Sequence, residues 1–127
     1  MRVLGYVTSR SFQGLTIPVP AQNSCLREFA KAQKSPYVLP PLEHYFEDCY
    51  MQLFTVLNSM QHGDILAMYS AAMLPTNKTK LEFIFSELKN LEGKMHFVLE
   101  AKTIKNLNEV KSLLFSYSLK NMFDNMY

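Results

Sequence analysis

Tryptophan is absent from this chain, cysteine occurs twice and glycine four times in 127 residues. Cys25 and Cys49 lack metal-type spacing and fall inside predicted helices, so they read as reduced, packed thiols, which exclude a disulfide scaffold and point to a cytoplasmic protein. Four glycines build no phosphate-binding Gly-rich loop, and there is no His-Glu-x-x-His, Cys-x-x-Cys or Gly-x-Ser-x-Gly. Metal, nucleoside triphosphate and flavin chemistry therefore lack support, and no cofactor is expected. No run reaches the ~18 apolar residues that a membrane span requires, and the first strand lacks the flanks of a signal peptide. Charge of one sign is scarce as well. Thirteen basic and 11 acidic residues leave a net +2, which disfavours nucleic acid as a partner.

What is present is a globular composition, 48% hydrophobic and 19% charged, in a chain that fits one domain over residues 1–127. Residues 3–7, 37–39, 65–69 and 96–100 are short apolar runs of the kind found in buried parallel strands. Between them, Leu26, Phe29 and Ala30 mark a first helix over residues 21–33. Phe46, Tyr50, Leu53, Phe54, Leu57 and Met60 mark a second, and Leu81, Ile84, Phe85, Leu88 and Leu91 a third. Asn106 with Glu109 resembles a capping box for a last helix. Four strand–helix repeats predict an α/β fold, a four-stranded parallel sheet of order 2-1-3-4 with helices on both faces, in a flavodoxin-like three-layer sandwich. Residues 118–127, with Leu119, Met122, Phe123, Met126 and Tyr127, carry more apolar surface than one helix end can bury. They predict a C-terminal helical extension that forms a dimer or tetramer.

In this topology the crevice lies beyond the carboxyl ends of strands one and three. It receives Ser9, Arg10 and Ser11 from the first strand, Glu43, His44, Tyr45 and Glu47 after the second, Ser70 after the third and Glu100 after the fourth. Gln22 and Asn23 overlook it from the first helix. Arg10, between two hydroxyls, suits an anion such as phosphate. His44 beside Glu43 is a candidate acid–base pair, and Glu100 is a carboxylate at the end of an apolar strand, where it needs a partner or a ligand. His62 and His96 read as structural.

Two resemblances follow from these segments. The opening residues 1–6 and Gly63-Asp64-Ile65-Leu66 resemble the catalytic domain of resolvase-type serine recombinases, across nearly the whole chain. In that family an Arg-x-Ser after strand one and an Asp-Arg-Leu-x-Arg run after strand three position DNA phosphate and a serine nucleophile. Here the first reads Ser9-Arg10-Ser11 and the second Ala71-Ala72-Met73-Leu74-Pro75, so the resemblance implies a resolvase-like layout without the catalytic arginines. The segments 5–10, 17–23, 43–47 with 49–50, 73–75 and 96–100 resemble the sporadic carbohydrate cluster proteins of surface-polysaccharide and lipopolysaccharide loci. That resemblance implies a role in glycan biosynthesis.

Together these readings lead to an expected surface-carbohydrate biosynthesis protein that binds a sugar phosphate or nucleotide sugar. Ser9, Arg10, Ser11, Gln22, Asn23, Tyr45, Glu47 and Ser70 would contact the substrate. Glu43, His44 and Glu100 would supply any acid–base chemistry on the sugar without a metal or cofactor. A non-catalytic oligomeric scaffold or regulator of a glycan enzyme is the alternative, and a degenerate resolvase-like DNA-binding domain is a third reading.

Overall fold

The computed structural model describes residues 1–11, 14, 16–43 and 49–113. Its strands are β1 (Val3–Tyr6), β2 (Tyr37–Val38), β3 (Ile65–Met68), β4 (Lys94–Phe97) and β5 (Lys102–Ile104). The helices are α1 (Val19–Ala32), α2 (Met51–Ser59) and α3 (Lys78–Asn90), with a short 3-10 turn at Ala71–Met73. Residues 107–113 are helical as well.

The sheet has the order β2-β1-β3-β4-β5. Its first four strands are parallel, with Val3 opposite Ile65 and Ile65 opposite Lys94, whereas β5 runs antiparallel to β4 and sets His96 against Thr103. The sheet is therefore mixed and five-stranded, a correction to the expected four-stranded, purely parallel one. The fourth strand ends at Phe97, and the chain then reverses in a turn where Ala101 takes a left-handed φ of 54°. Only three residues, Lys102-Thr103-Ile104, form the return strand, and just one of them is buried. Such a segment shows no hydrophobic alternation that would announce it.

The strands are covered on both faces, as a parallel α/β sheet requires. On one face α1 lays Leu26 and Ala30 against Val3, Val7, Ile65 and Ala67. On the other, α2 and α3 bury Leu53, Val56, Leu57, Leu81, Ile84, Phe85 and Leu88 over Leu4, Tyr6, Leu66, Met68, Met95 and Phe97, and Val110 joins them. Gly5 marks the tightest approach, because a Cβ there would run into the Tyr37 hydroxyl and Leu26. At the amino end of the sheet the buried Asp64 accepts hydrogen bonds from the backbone and guanidinium of Arg2 and from Gln61 N, tying β1 to β3. Burial alone would raise its pKa, but these bonds and the Arg2 charge outweigh it and hold the carboxyl below its ordinary range. Among the described residues no helix is long and apolar enough to cross a membrane. The expected oligomerisation segment, residues 118–127, lies outside the described residues.

Candidate functional site

The carboxyl edge of the sheet is assembled around Tyr6, the last residue of β1. Its side chain is fully buried, and its hydroxyl donates to Glu43 Oε2 at 3.0 Å while accepting from Arg10 Nη2 at 3.2 Å. Burial and the Glu43 charge drive the phenol pKa far upward, against the opposing pull of Arg10, so Tyr6 stays a neutral bridge. Glu43 has a second task. Tyr50, the residue before α2, supplies no side-chain cap, and Glu43 Oε2 instead accepts from Gln52 N at 3.0 Å and Leu53 N at 3.2 Å. A carboxylate at that position satisfies orphan donors and complements the helix dipole.

Arg10 is thereby held in one place. Its backbone N–H donates to Thr8 Oγ1 at 3.2 Å, its guanidinium also donates to the Cys49 carbonyl, and its planar end lies 4.5 Å from the Tyr50 ring centroid. Lys80, in the first turn of α3, brings its Nζ to 5.5 Å from the same ring. Tyr50, Pro75, Thr76, Asn77 and Lys80 line a cleft of about 300 Å³. Two cations and one aromatic ring thus meet where the loops after β1 and β3 leave the sheet.

The other expected site residues have definite places. Gln22 is fully buried: its amide donates to the carbonyls of Thr8 at 2.7 Å and Ile17 at 2.8 Å, and its oxygen accepts from Thr8 N at 3.3 Å. Asn23 Oδ1 accepts from the Tyr37 hydroxyl at 2.5 Å, on the α1 side of the sheet. Burial pushes that tyrosine up to about 12 against the nearby Arg27 charge. Ser70 donates to Glu100 Oε1 at 2.7 Å, and Glu100 also accepts from Ala71 N, so this pair closes the 3-10 turn after β3. Ser9 and Ser11 are exposed, and Ser11 Oγ shares a 2.7 Å hydrogen bond with Thr16 Oγ1. His44, Tyr45 and Glu47 lie outside the described residues. Sequence reasoning passed over Tyr6, Tyr50 and Lys80. Tyr50 fitted the helical stripe and was assigned to the core, while Lys80 stood in a polar run; its position three residues after the capping Asn77, at the carboxyl edge of the sheet, was the available signal.

The element order, the parallel core of the sheet and the site at its carboxyl edge define an open α/β domain, and its fold is similar to that of resolvase-type solved structures. Two solved structures make the likeness specific. The N-terminal catalytic domain of TP901-1 integrase superposes with a TM-score of 0.61 at 14% identity, over 99% of this chain and 98% of that one. A resolvase family site-specific recombinase from Streptococcus pneumoniae superposes with a TM-score of 0.62 at 10% identity, over 99% and 91% of the two chains. No family model and no curated protein matches the sequence.

These neighbours overturn the surface-carbohydrate reading. The polysaccharide and lipopolysaccharide role, and the sugar phosphate or nucleotide sugar as partner, rested on the resemblance to sporadic carbohydrate cluster proteins, which no family match supports. The structure supplies the physical reason: Gln22, Asn23, Glu43 and Glu100, prominent in that resemblance, all make hydrogen bonds within the fold itself. The exclusion of nucleic acid is corrected too. It rested on a net charge of +2, which averages over the surface and does not register two cations placed near one aromatic ring.

Proposed function

We propose that this chain is a recombinase-fold domain that grips a nucleic-acid phosphate at the carboxyl edge of its sheet and leaves the strand uncut. The observation that carries the proposal is the convergence of Arg10 and Lys80 on the Tyr50 ring, at 4.5 and 5.5 Å, beside the cleft of about 300 Å³. Arg10 supplies a fixed charge, because Tyr6, Cys49 and Tyr50 hold its guanidinium. Lys80 supplies an adaptable one, a compact ammonium on a long stem, suited to following a phosphate oxygen. The similar solved structures are an integrase catalytic domain and a resolvase family site-specific recombinase, which supports nucleic acid as the ligand class.

Retention without cleavage is supported by what surrounds the Ser11 and Ser70 hydroxyls. A serine becomes a nucleophile when a base or a lowered pKa activates it. Ser11 shares its hydroxyl with Thr16, and Ser70 directs its own to Glu100. Residues 71–75 carry no cation to stabilise the charge that develops on a phosphoryl group under attack.

The test is fluorescence anisotropy with labelled DNA on wild type and Lys80→Ala, beside a supercoiled-plasmid nicking assay. A charge-assisted phosphate contact contributes about 1.5–3 kcal/mol, so Lys80→Ala should weaken binding roughly tenfold or more without lowering the melting temperature. The plasmid should stay supercoiled. Absence of binding, or equal affinity in the variant, would overturn the proposal.

A further inference from the structure

The cleft does not end at Lys80. Helices α2 and α3 lie side by side on the same face of the sheet, and their side chains meet in two successive rungs. The first sets Tyr50 against Lys80 at 5.5 Å, and the second sets Phe54 against Phe83, ring centroids 5.8 Å apart and tilted by 56°. Phe54 follows Tyr50 by four residues and Phe83 follows Lys80 by three, so each pair shares one helix face at a separation of about 5–6 Å. The second rung is open to water. Phe83 keeps 48% of its surface exposed, and Met51, three residues before Phe54 on α2, keeps 63%.

We infer that this aromatic rung seats an unpaired base, so the preferred ligand of the site is single-stranded nucleic acid rather than intact duplex. The inference rests on the phosphate reading of the neighbouring cleft. A cation held about one helical turn from an exposed aromatic face is the pairing that single-strand binders use: the charge follows the backbone and the ring takes the base. In a duplex the bases are stacked within the helix and cannot reach Phe83 unless they are extruded, which costs unpairing energy. An apolar partner of another kind would satisfy Phe54, Phe83 and Met51 but would leave the positive charge of Lys80 and Arg10 unanswered at its edge. A nucleotide answers both.

The experiment compares three labelled ligands, a single-stranded oligonucleotide, the same strand with abasic sites, and the blunt duplex, on wild type, Lys80→Ala and Phe83→Leu. Leucine keeps apolar volume against Phe54 while removing the stacking face, and melting temperatures check that both variants fold. Wild type should bind the intact strand about tenfold more tightly than the abasic strand or the duplex, a difference of about 1.4 kcal/mol. Phe83→Leu should erase that preference, and Lys80→Ala should weaken all three ligands. If duplex and strand bind alike, or Phe83→Leu leaves the preference intact, the inference fails; the phosphate reading survives that result only if Lys80→Ala still weakens binding. If none of the three ligands binds, both readings fall together.

Discussion

Gln22 shows how a residue can occupy the expected place and do different work there. Its position at the start of α1, overlooking the carboxyl edge of β1, was legible in the sequence; the three backbone groups that its amide would satisfy were not. Those partners, Thr8 N, Thr8 O and Ile17 O, come from the loop that leaves the sheet, so the side chain stitches α1 to the segment that carries Arg10. Gln22→Leu keeps the buried volume but strands three polar groups, each worth about 1–3 kcal/mol when buried and unpaired. Partial relaxation toward water should leave a net loss of about 3 kcal/mol in urea-induced unfolding, and a loss below about 1 kcal/mol would show that the loop repairs itself. Glu43 and Tyr6 obey the same logic. A carboxylate beyond β2 pointed to the crevice, yet nothing in the spacing of residues 43, 52 and 53 reveals that it substitutes for a missing helix cap.

At the scale of elements, the helices were the most legible part, because the stripes Leu81, Ile84, Phe85, Leu88 and Leu26, Ala30 record which face is buried. The β4–β5 hairpin was the least legible, since a three-residue strand carries too little pattern, and with it went the true position of Glu100 in a turn rather than at a strand end. The hairpin also gives His96 a setting. Its ring stacks on Phe29 of α1, centroids 3.8 Å apart and planes within 5°, while Nδ1 pairs with Thr103 Oγ1 at 2.8 Å across the β4–β5 register. Burial lowers the imidazole pKa, and the Glu100 charge only partly opposes it. A folded-state value below the unfolded one means that the unfolded chain binds the proton first. The stabilisation is therefore complete above the ordinary histidine value of about 6.5 and is lost as pH falls through the lower folded value. Unfolding free energy should fall as pH drops below the ordinary histidine value of about 6.5 in wild type, and the drop should shrink in His96→Phe, which keeps a stacking ring that does not titrate. Identical pH profiles for the two proteins would show that His96 carries none of this dependence.

For the whole molecule the proposed function turns on which face would meet a polyanion, since a net charge of +2 allows only a local answer. The carboxyl edge offers two cations, Arg10 and Lys80. A second group, Lys89, Lys94 and Lys105, lines a cleft of about 360 Å³ between α3 and the start of β4, where Glu92 offsets part of the charge. Salt dependence separates these faces, because each phosphate neutralised releases counterions and steepens the dependence of log K on log salt, by about 0.9 for duplex and about 0.7 for a single strand. Two contacts at the carboxyl edge predict slopes near about −1.8 and about −1.4 respectively. Removing one of them in Lys80→Ala should bring the single-strand slope to about −0.7. A wild-type slope of about −3 or steeper that Lys80→Ala leaves unchanged would move the binding face to the lysines beside β4. In that event the Tyr50 cleft would be a feature of packing, with Arg10 and Lys80 stacked on an aromatic ring for stability alone.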